Sequence, residues 1–538
     1  MLSAWAVRGA SDRVLDPSFG GGVFLVASAQ RLRAIGGRAT QVYGVEMDGS
    51  AYSEGSTLAA SAGVPRTNLE QRDFFTSGSP GRFDVVVGNP PYIRFQRFSG
   101  PERALAAARA GEAGVDLSPL ASSWAHFVIH SANLLAPGGR LAMLVPNEIG
   151  HAHYGRDVLT FLAASFAHVT LVAFNARLFP SLDQDTLAVL ACGSGQPGGD
   201  VRFARIDGIG DFRRATTNAT DIDVGAVSRG TRSLRFYELP PAMRDRYLML
   251  EAHSGVVRLA DVARTTSGYV TGANRFFHLS PARAAELSIP DSSLSRGVFR
   301  ARALTGLAFH ENDWRYAAQS DGAGYLLTPA GPLDPATRAY LRTGADTGVH
   351  QGYKTRSRSP WYAVPRIQRP DMLMAAMASE SHALVVNRAG AAPANTLHAV
   401  TLNTISRAER KKAKGQKGRE DAATHLPTVV AIAWLTSLSR LSRELEARVL
   451  GGGMLKIEPG EAGQMLLPGL DRATAHHVSL VAPRIDGHLR AGRFDAAQEE
   501  ADLLLMRGAL DLSEAAVALM AEAARHLREL RKRSPSGR

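Results

Sequence analysis

Seven short apolar runs between residues 13 and 194 constrain the fold more than any other feature of this sequence. They are RVLDPS (13–18), QVYGVEMD (41–48), LEQRDFF (69–75), FDVVVGNPP (83–91), RLAMLVP (140–146), HVTLVAFN (168–175) and LAVLACGS (187–194). Ala- and Leu-rich stretches of helical length lie between them, such as SSWAHFVIHSANLLA (122–136). Buried strands interleaved with helices predict an α/β domain with a largely parallel sheet. Ligands of such sheets bind beyond the carboxyl ends of the strands. The chemically suggestive residues fall at those ends.

The first run leads into Gly20-Gly21-Gly22 and an apolar helix. Glycines there let a ligand approach the backbone and present amide N–H groups at a helix N-terminus, although a plain tight turn has the same composition. The turn lacks the Lys-Ser/Thr of a phosphate-transfer loop. Glu46, ending the second run, suits the two hydroxyls of a ribose, or it is a solvated loop acid. Asp73, ending the third, suits an adenine amino group, with Phe74 or Phe75 against the ring, or it is a turn residue.

The fourth run ends in Asn89-Pro90-Pro91-Tyr92. The Asn89 amide oxygen and the Pro90 carbonyl are both acceptors, and the prolines hold the backbone at little entropic cost. Two fixed acceptors suit an exocyclic NH₂, which carries two donors. Tyr92 offers a flat face for a planar base, with stacking worth roughly 1–3 kcal/mol. Acceptors pulling on both hydrogens favour a pyramidal nitrogen with a free lone pair, which helps the attacking geometry more than the resting one.

On these residues, segment 13–205 resembles the class I S-adenosylmethionine-dependent amino-methyltransferases. Within them it is similar to the gamma-class (TaqI-like) N6-adenine DNA methyltransferases of restriction–modification systems, which place the cofactor motif first, NPPY next and target recognition last. The resemblance implies a Rossmann-like seven-stranded sheet and a C-terminal mixed α+β target-recognition domain. The expected division is a catalytic domain over 1–207, a connector over 208–249 and a DNA-recognition domain with C-terminal helices over 250–538. It implies S-adenosylmethionine held by Asp16, Pro17, Gly20, Gly22, Glu46, Asp73, Phe74 and Asn89. Asn89, Pro90 and Tyr92 become the catalytic groups. Phe179, in RLFPSLDQDTLAVL (177–190), becomes the second stacking partner of a flipped base. Phe19 and Gly21 stand where the family usually has Cys and Ser, and the usual Thr-Pro segment ahead of the first strand is represented only by MLSAWAVRG.

The later landmarks TSGYVTGANRFFHL (266–279), SPWYAVPRI (359–367) and GGGMLKIEPGEAGQMLLP (451–468) resemble the family's recognition domains more loosely. Arg94, Lys354, Arg356, Arg358 and Lys456 are the candidate DNA contacts. The formal net charge of +12 fits a polyanionic partner, and the basic run 407–420 reads as a solvated loop. Double-stranded DNA is the expected partner of a monomer; a separately encoded restriction endonuclease is left open. THLPTVVAIAWLTSLSRLSRELEARVL (424–450) reads as one long helix, and 495–533 as a helical pair.

The single cysteine, Cys192, fits a reducing cytoplasm and lacks the Pro-Cys context that cytosine-C5 transfer requires. No bilayer-spanning run is expected. His126 and His130 have metal-like spacing but lack a third ligand, so helix packing is expected and no metal. The same loop chemistry also suits RNA (guanine-N2 or adenine-N6) and protein-glutamine methyltransferases, and a catalytically silent DNA-binding subunit is a further alternative.

Overall fold

The apolar runs form β1 (Val14–Asp16), β2 (Val42–Glu46), β3 (Leu69–Gln71), β4 (Phe83–Gly88), β5 (Leu135–Pro146), β6 (Phe166–Phe174) and β7 (Thr186–Ser194) of the computed structural model. Two more strands, β8 (Asp200–Ile206) and β9 (Thr220–Asp221), complete a sheet of order β3-β2-β1-β4-β5-β7-β6-β8-β9. The described residues are 1–76, 83–150, 152–174, 186–196, 198–380, 382–403, 426–469 and 472–533. The sheet thus has nine strands, not the expected seven. The segment VRFARID (201–207) continues the sheet because it pairs in parallel with β6, and Thr220–Asp221 then pairs antiparallel with β8.

Strands β3, β2, β1, β4 and β5 run parallel, while β7 is antiparallel to both β5 and β6. Val14 and Leu15 of β1 and Val85, Val86 and Val87 of β4 are buried whichever face they point to. This double burial is why those strands read as unbroken apolar runs rather than alternating ones. Helices α1 (Leu2–Ala6), α2 (Val23–Ala34), α3 (Gly49–Ser61), α4 (Gly100–Glu112), α5 (Ser123–Asn133) and α6 (His153–Ser165) connect or flank them. The chain builds outward from β1 to β3, then returns to pair β4 on the other side of β1. That reversal opens a crevice past the carboxyl ends of β1 and β4.

The chain divides into two compact units, Met1–Pro240 and Pro241–Arg531. The segment read as a connector is therefore shared: its first part carries β9, and a helix over Pro241–Glu251 opens the second unit. The second unit is mixed α+β. Its five-stranded sheet has Leu397–Leu402 and Met372–Ala375 at its centre, and smaller sheets and helices pack around it. Its core includes Met372, Met374, Val400, Ile432 and Trp434.

The run expected as one helix over 424–450 is broken. A helix spans 426–433, a second spans Ser437–Glu446, and Arg448–Leu450 is a strand. Thr436 accounts for the break, since its hydroxyl accepts the Ser439 N–H as an N-cap. Among the described residues no helix is long and apolar enough to cross a membrane.

Candidate active site

The turn after β1 is held from two sides. Gly22 has φ of 81° and N-caps α2, a conformation that favours glycine. A side chain on it would also meet the Gly55 carbonyl of α3 at 2.7 Å. Glu46 at the end of β2 accepts the Gly20 N–H at 2.9 Å through one carboxylate oxygen and the Asp48 N–H at 2.8 Å through the other. Phe19 lies buried against Tyr52 with ring centroids 5.8 Å apart, so the larger residue at this position is absorbed by α3. A Cβ on Gly20 or Gly21 would meet nothing within 4 Å, which leaves open room beside the turn.

Asp16 ends β1 and is 1% exposed. One oxygen accepts the Ser18 N–H at 3.3 Å; the other, Oδ2, has no hydrogen-bond partner among the described residues. Burial pushes its carboxyl up to about 8, with the Glu46 charge adding to the rise. A Cβ on Gly88 would lie 2.8 Å from Asp16 Oδ1, so the end of β4 abuts the end of β1. The Ser18 hydroxyl donates to the Asn89 carbonyl at 3.3 Å and ties the glycine turn to the Asn-Pro-Pro-Tyr loop.

Within that loop the Tyr92 hydroxyl donates to Asn89 Oδ1 at 2.6 Å. Burial raises the Tyr92 phenol above its ordinary value, so it stays protonated and remains a donor. The bond orients the amide while leaving Oδ1 a second lone pair. Ser123 at the start of α5 clamps the far side of the loop. Its hydroxyl donates to the Pro91 carbonyl and accepts the Ile93 N–H at 2.9 Å, and its own N–H donates to the Ile93 carbonyl at 3.0 Å. Next to it, the Ser122 and Tyr154 hydroxyls are hydrogen-bonded at 3.1 Å, and the Tyr154 hydroxyl donates to Glu148 just beyond β5. Sequence reasoning missed Ser18, Ser123, Glu148 and Tyr154. The one local signal was the Ser122-Ser123 pair ahead of an apolar helix.

Strand-end acceptors beside an open glycine turn suit transfer to an amine, and similarity to known proteins places the chain among methyltransferases. Residues 56–179 match the Eco57I restriction-modification methylase family, and residues 234–506 match the C-terminal domain of the Type II methyltransferase M.Eco57I. The chain belongs to the Eco57I restriction-modification methylases. It is a site-specific DNA methyltransferase. The methylase is 23% identical over 487 residues to the Type II methyltransferase M.XamI of Xanthomonas campestris pv. amaranthicola, spanning 88% of this chain and 84% of that one. It is 30% identical over 167 residues to a tRNA1(Val) (adenine(37)-N6)-methyltransferase of Pasteurella multocida, spanning 30% of this chain and 65% of the relative. Its fold is similar to that of the Type IIL restriction-modification enzyme MmeI, solved in complex with DNA. That match has a TM-score of 0.53 at 11% identity, over 97% of this chain and 73% of MmeI.

Elsewhere in the methylase some expected side chains also make contacts within the protein. Asp73 Oδ1 accepts the Phe75 N–H at 2.9 Å and shapes the turn after β3. The Phe74 ring is 2% exposed and stacked on Phe127 at 5.1 Å, with His130 at 4.8 Å. It lies inside an aromatic cluster, so the expectation of its ring against an adenine is corrected; the backbone of Phe74 remains a candidate contact. His126 packs edge-on to Phe98 at 5.5 Å, and burial lowers its imidazole to about 4. Phe179 lies outside the described residues.

Arg94 is exposed beyond the catalytic loop. In the second unit, Lys354 and Arg356 are exposed and lie over the Tyr353 ring at 5.2 and 5.6 Å. Tyr353 itself is 74% exposed. Arg358 differs from them. It donates to the carbonyls of Thr271 at 2.7 Å and Val270 at 2.8 Å, so its guanidinium is tied to a neighbouring loop. Lys456 pairs with Glu458 at 2.6 Å. Trp361 packs against Phe276 and Phe277 rather than standing free.

Proposed function

We propose that the methylase transfers a methyl group from S-adenosylmethionine to the N6 amine of an adenine flipped out of duplex DNA. The observation that carries this reading is the Asn89–Tyr92 loop at the end of β4, tied by Ser18 to the glycine turn at the end of β1. The target amine is otherwise buried in base pairing, so the base must leave the stack to reach such a loop. Likeness of the catalytic segment to a relative named for adenine-N6 methylation supports the choice of base.

Asp16, Pro17, Gly20, Gly22, Glu46 and Asp73 fit the methyl donor. The room beside Gly20 and Gly21 takes a ligand, and the unpartnered Asp16 Oδ2 suits one with a positive charge. S-adenosylmethionine supplies an electrophilic methyl group on a sulfonium. Asn89 Oδ1 and the Pro90 carbonyl accept the two hydrogens of the target amine and hold its lone pair toward the methyl. Tyr92 stacks on the base while its hydroxyl keeps the Asn89 amide oriented. Arg94, Lys354 and Arg356 contact the DNA backbone.

The test is labelled-methyl transfer to unmethylated duplex DNA, followed by base-resolution mapping. Asn89→Ala is expected to abolish transfer and to change cofactor affinity by no more than about twofold. Near-native turnover in this variant, or label on cytosine, defeats the proposal.

A further inference from the structure

The second unit holds a cavity of about 740 Å³ whose lining includes none of the candidate active-site residues. Leu455, Leu503 and Val517 give it an apolar wall, and Arg443 lines it as well. Arg443 is 4% exposed. Its Nη1 donates to the Trp434 carbonyl, and the guanidinium lies 4.6 Å from the centre of the Trp434 ring. A guanidinium has five N–H donors, and this carbonyl takes only one.

Among the described residues no carboxylate forms an ion pair with Arg443. Three of the acids around the cavity are held by other arginines: Glu444 by Arg531 at 2.9 Å, Asp495 by Arg440 at 3.0 Å and Glu514 by Arg507 at 3.7 Å. Burial and the Arg440 charge lower the Arg443 guanidinium to about 9, with Glu444 opposing them in part, and it stays charged at neutral pH. A buried charge whose neighbouring carboxylate is committed to another arginine is costly. The open cavity is where a counter-ion fits.

We propose that this cavity binds a carboxylate carried on an apolar body, with Arg443 receiving the carboxylate and the Leu455–Leu503–Val517 wall receiving the body. Charge decides the class. Seven carboxylates and five arginines line the cavity, and this net negative balance repels a phosphate dianion or a polyanion such as DNA far more than a single negative charge. Shape agrees, because a planar guanidinium edge matches the two oxygens of a carboxylate. This site is independent of the methyl-transfer reading.

The test uses the full chain, titrated by calorimetry with N-acetyl-leucine, N-acetyl-leucinamide and inorganic phosphate. N-acetyl-leucine is expected to bind and to raise the melting temperature; the amide and phosphate are expected to do neither. Arg443→Met should weaken N-acetyl-leucine by about tenfold or more, the loss of a charged hydrogen-bonded contact. Leu503→Glu gives a second measure that does not threaten the core, because Leu503 is 55% exposed. Its carboxylate competes for Arg443 and should weaken binding similarly, with the methyl-transfer rate unchanged in both variants. Absence of N-acetyl-leucine binding, equal binding of the amide, tighter binding of phosphate, or undiminished binding in Leu503→Glu overturns the proposal.

Discussion

Two prolines stiffen the catalytic loop, but Ser123 gives it a fixed position. It makes three hydrogen bonds to residues 91 and 93, two of them through one hydroxyl. Ser123→Ala removes those two and leaves the backbone bond. Reacting groups displaced by a fraction of an ångström cost catalysis more than binding, so kcat is expected to fall about ten- to hundredfold with KM for DNA nearly unchanged. Ser123→Thr, which keeps the hydroxyl, should restore most of the rate. Steady-state kinetics of the three proteins decide it, and an unaltered kcat in Ser123→Ala would show that the prolines suffice. Asp16 makes a different prediction. Its carboxyl is raised from 3.8 to about 8 in the folded chain. Between those values the unfolded chain ionises it and the folded chain does not, so folding takes up a proton and stability falls as pH rises. Below the lower value the contribution is complete; above the upper it is lost. Asp16→Asn should flatten the stability profile over that window, by at most about 1.4 kcal/mol per pH unit. Urea melts of the cofactor-free protein at several pH values read this directly, and parallel profiles for the two proteins would contradict it.

At the scale of elements, the cofactor turn depends on how closely α3 approaches it. A Cβ on Gly55 would sit 2.1 Å from the Gly20 carbonyl and 2.9 Å from the Phe19 ring. Gly55→Ala must therefore move α3 or the turn, since the nearer neighbour is backbone. Affinity for S-adenosylmethionine is expected to drop about tenfold or more while the fold survives, measured by calorimetry beside a thermal melt. The glycine turn and the Asn-Pro-Pro-Tyr corner were legible in the sequence because strand, turn and helix chemistry is local. Gly55 was not, being an unremarked helical glycine until α3 is laid on the turn 35 residues earlier. Ser123 was hidden similarly, and so was the fate of Phe74, whose ring is covered by Phe127 and His130 of α5. The eighth and ninth strands were missed because edge pairing depends on partners that no local pattern reveals. The break at Thr436 is another kind of miss. Its capping chemistry stands in the sequence as Thr436-Ser437-Leu438-Ser439, and the apolar periodicity on both sides outweighed it.

For the whole molecule, a net charge of +12 and a DNA substrate make ionic strength the natural probe. Exposed charge in the second unit is not uniform in purpose. Arg356 lies over an exposed tyrosine, whereas Arg358 donates to two carbonyls of the 270–271 loop. Burial lowers the Arg358 guanidinium below its ordinary value, as suits a group partly withdrawn from water. An arginine that neutralises a phosphate releases a counter-ion on binding; one that holds a loop does not. Arg356→Ala is accordingly expected to weaken binding to all duplexes alike and to reduce the slope of log affinity against log salt by about 1. Arg358→Ala should leave that slope unchanged and instead destabilise the folded chain by roughly 1–3 kcal/mol, the range for losing hydrogen bonds made by a charged group. Affinity measured across a salt series, with a denaturant melt of each variant, separates the two roles. An equal change of slope in both variants would mean that Arg358 leaves its carbonyls when DNA binds, and that the 270–271 loop is released as the duplex docks.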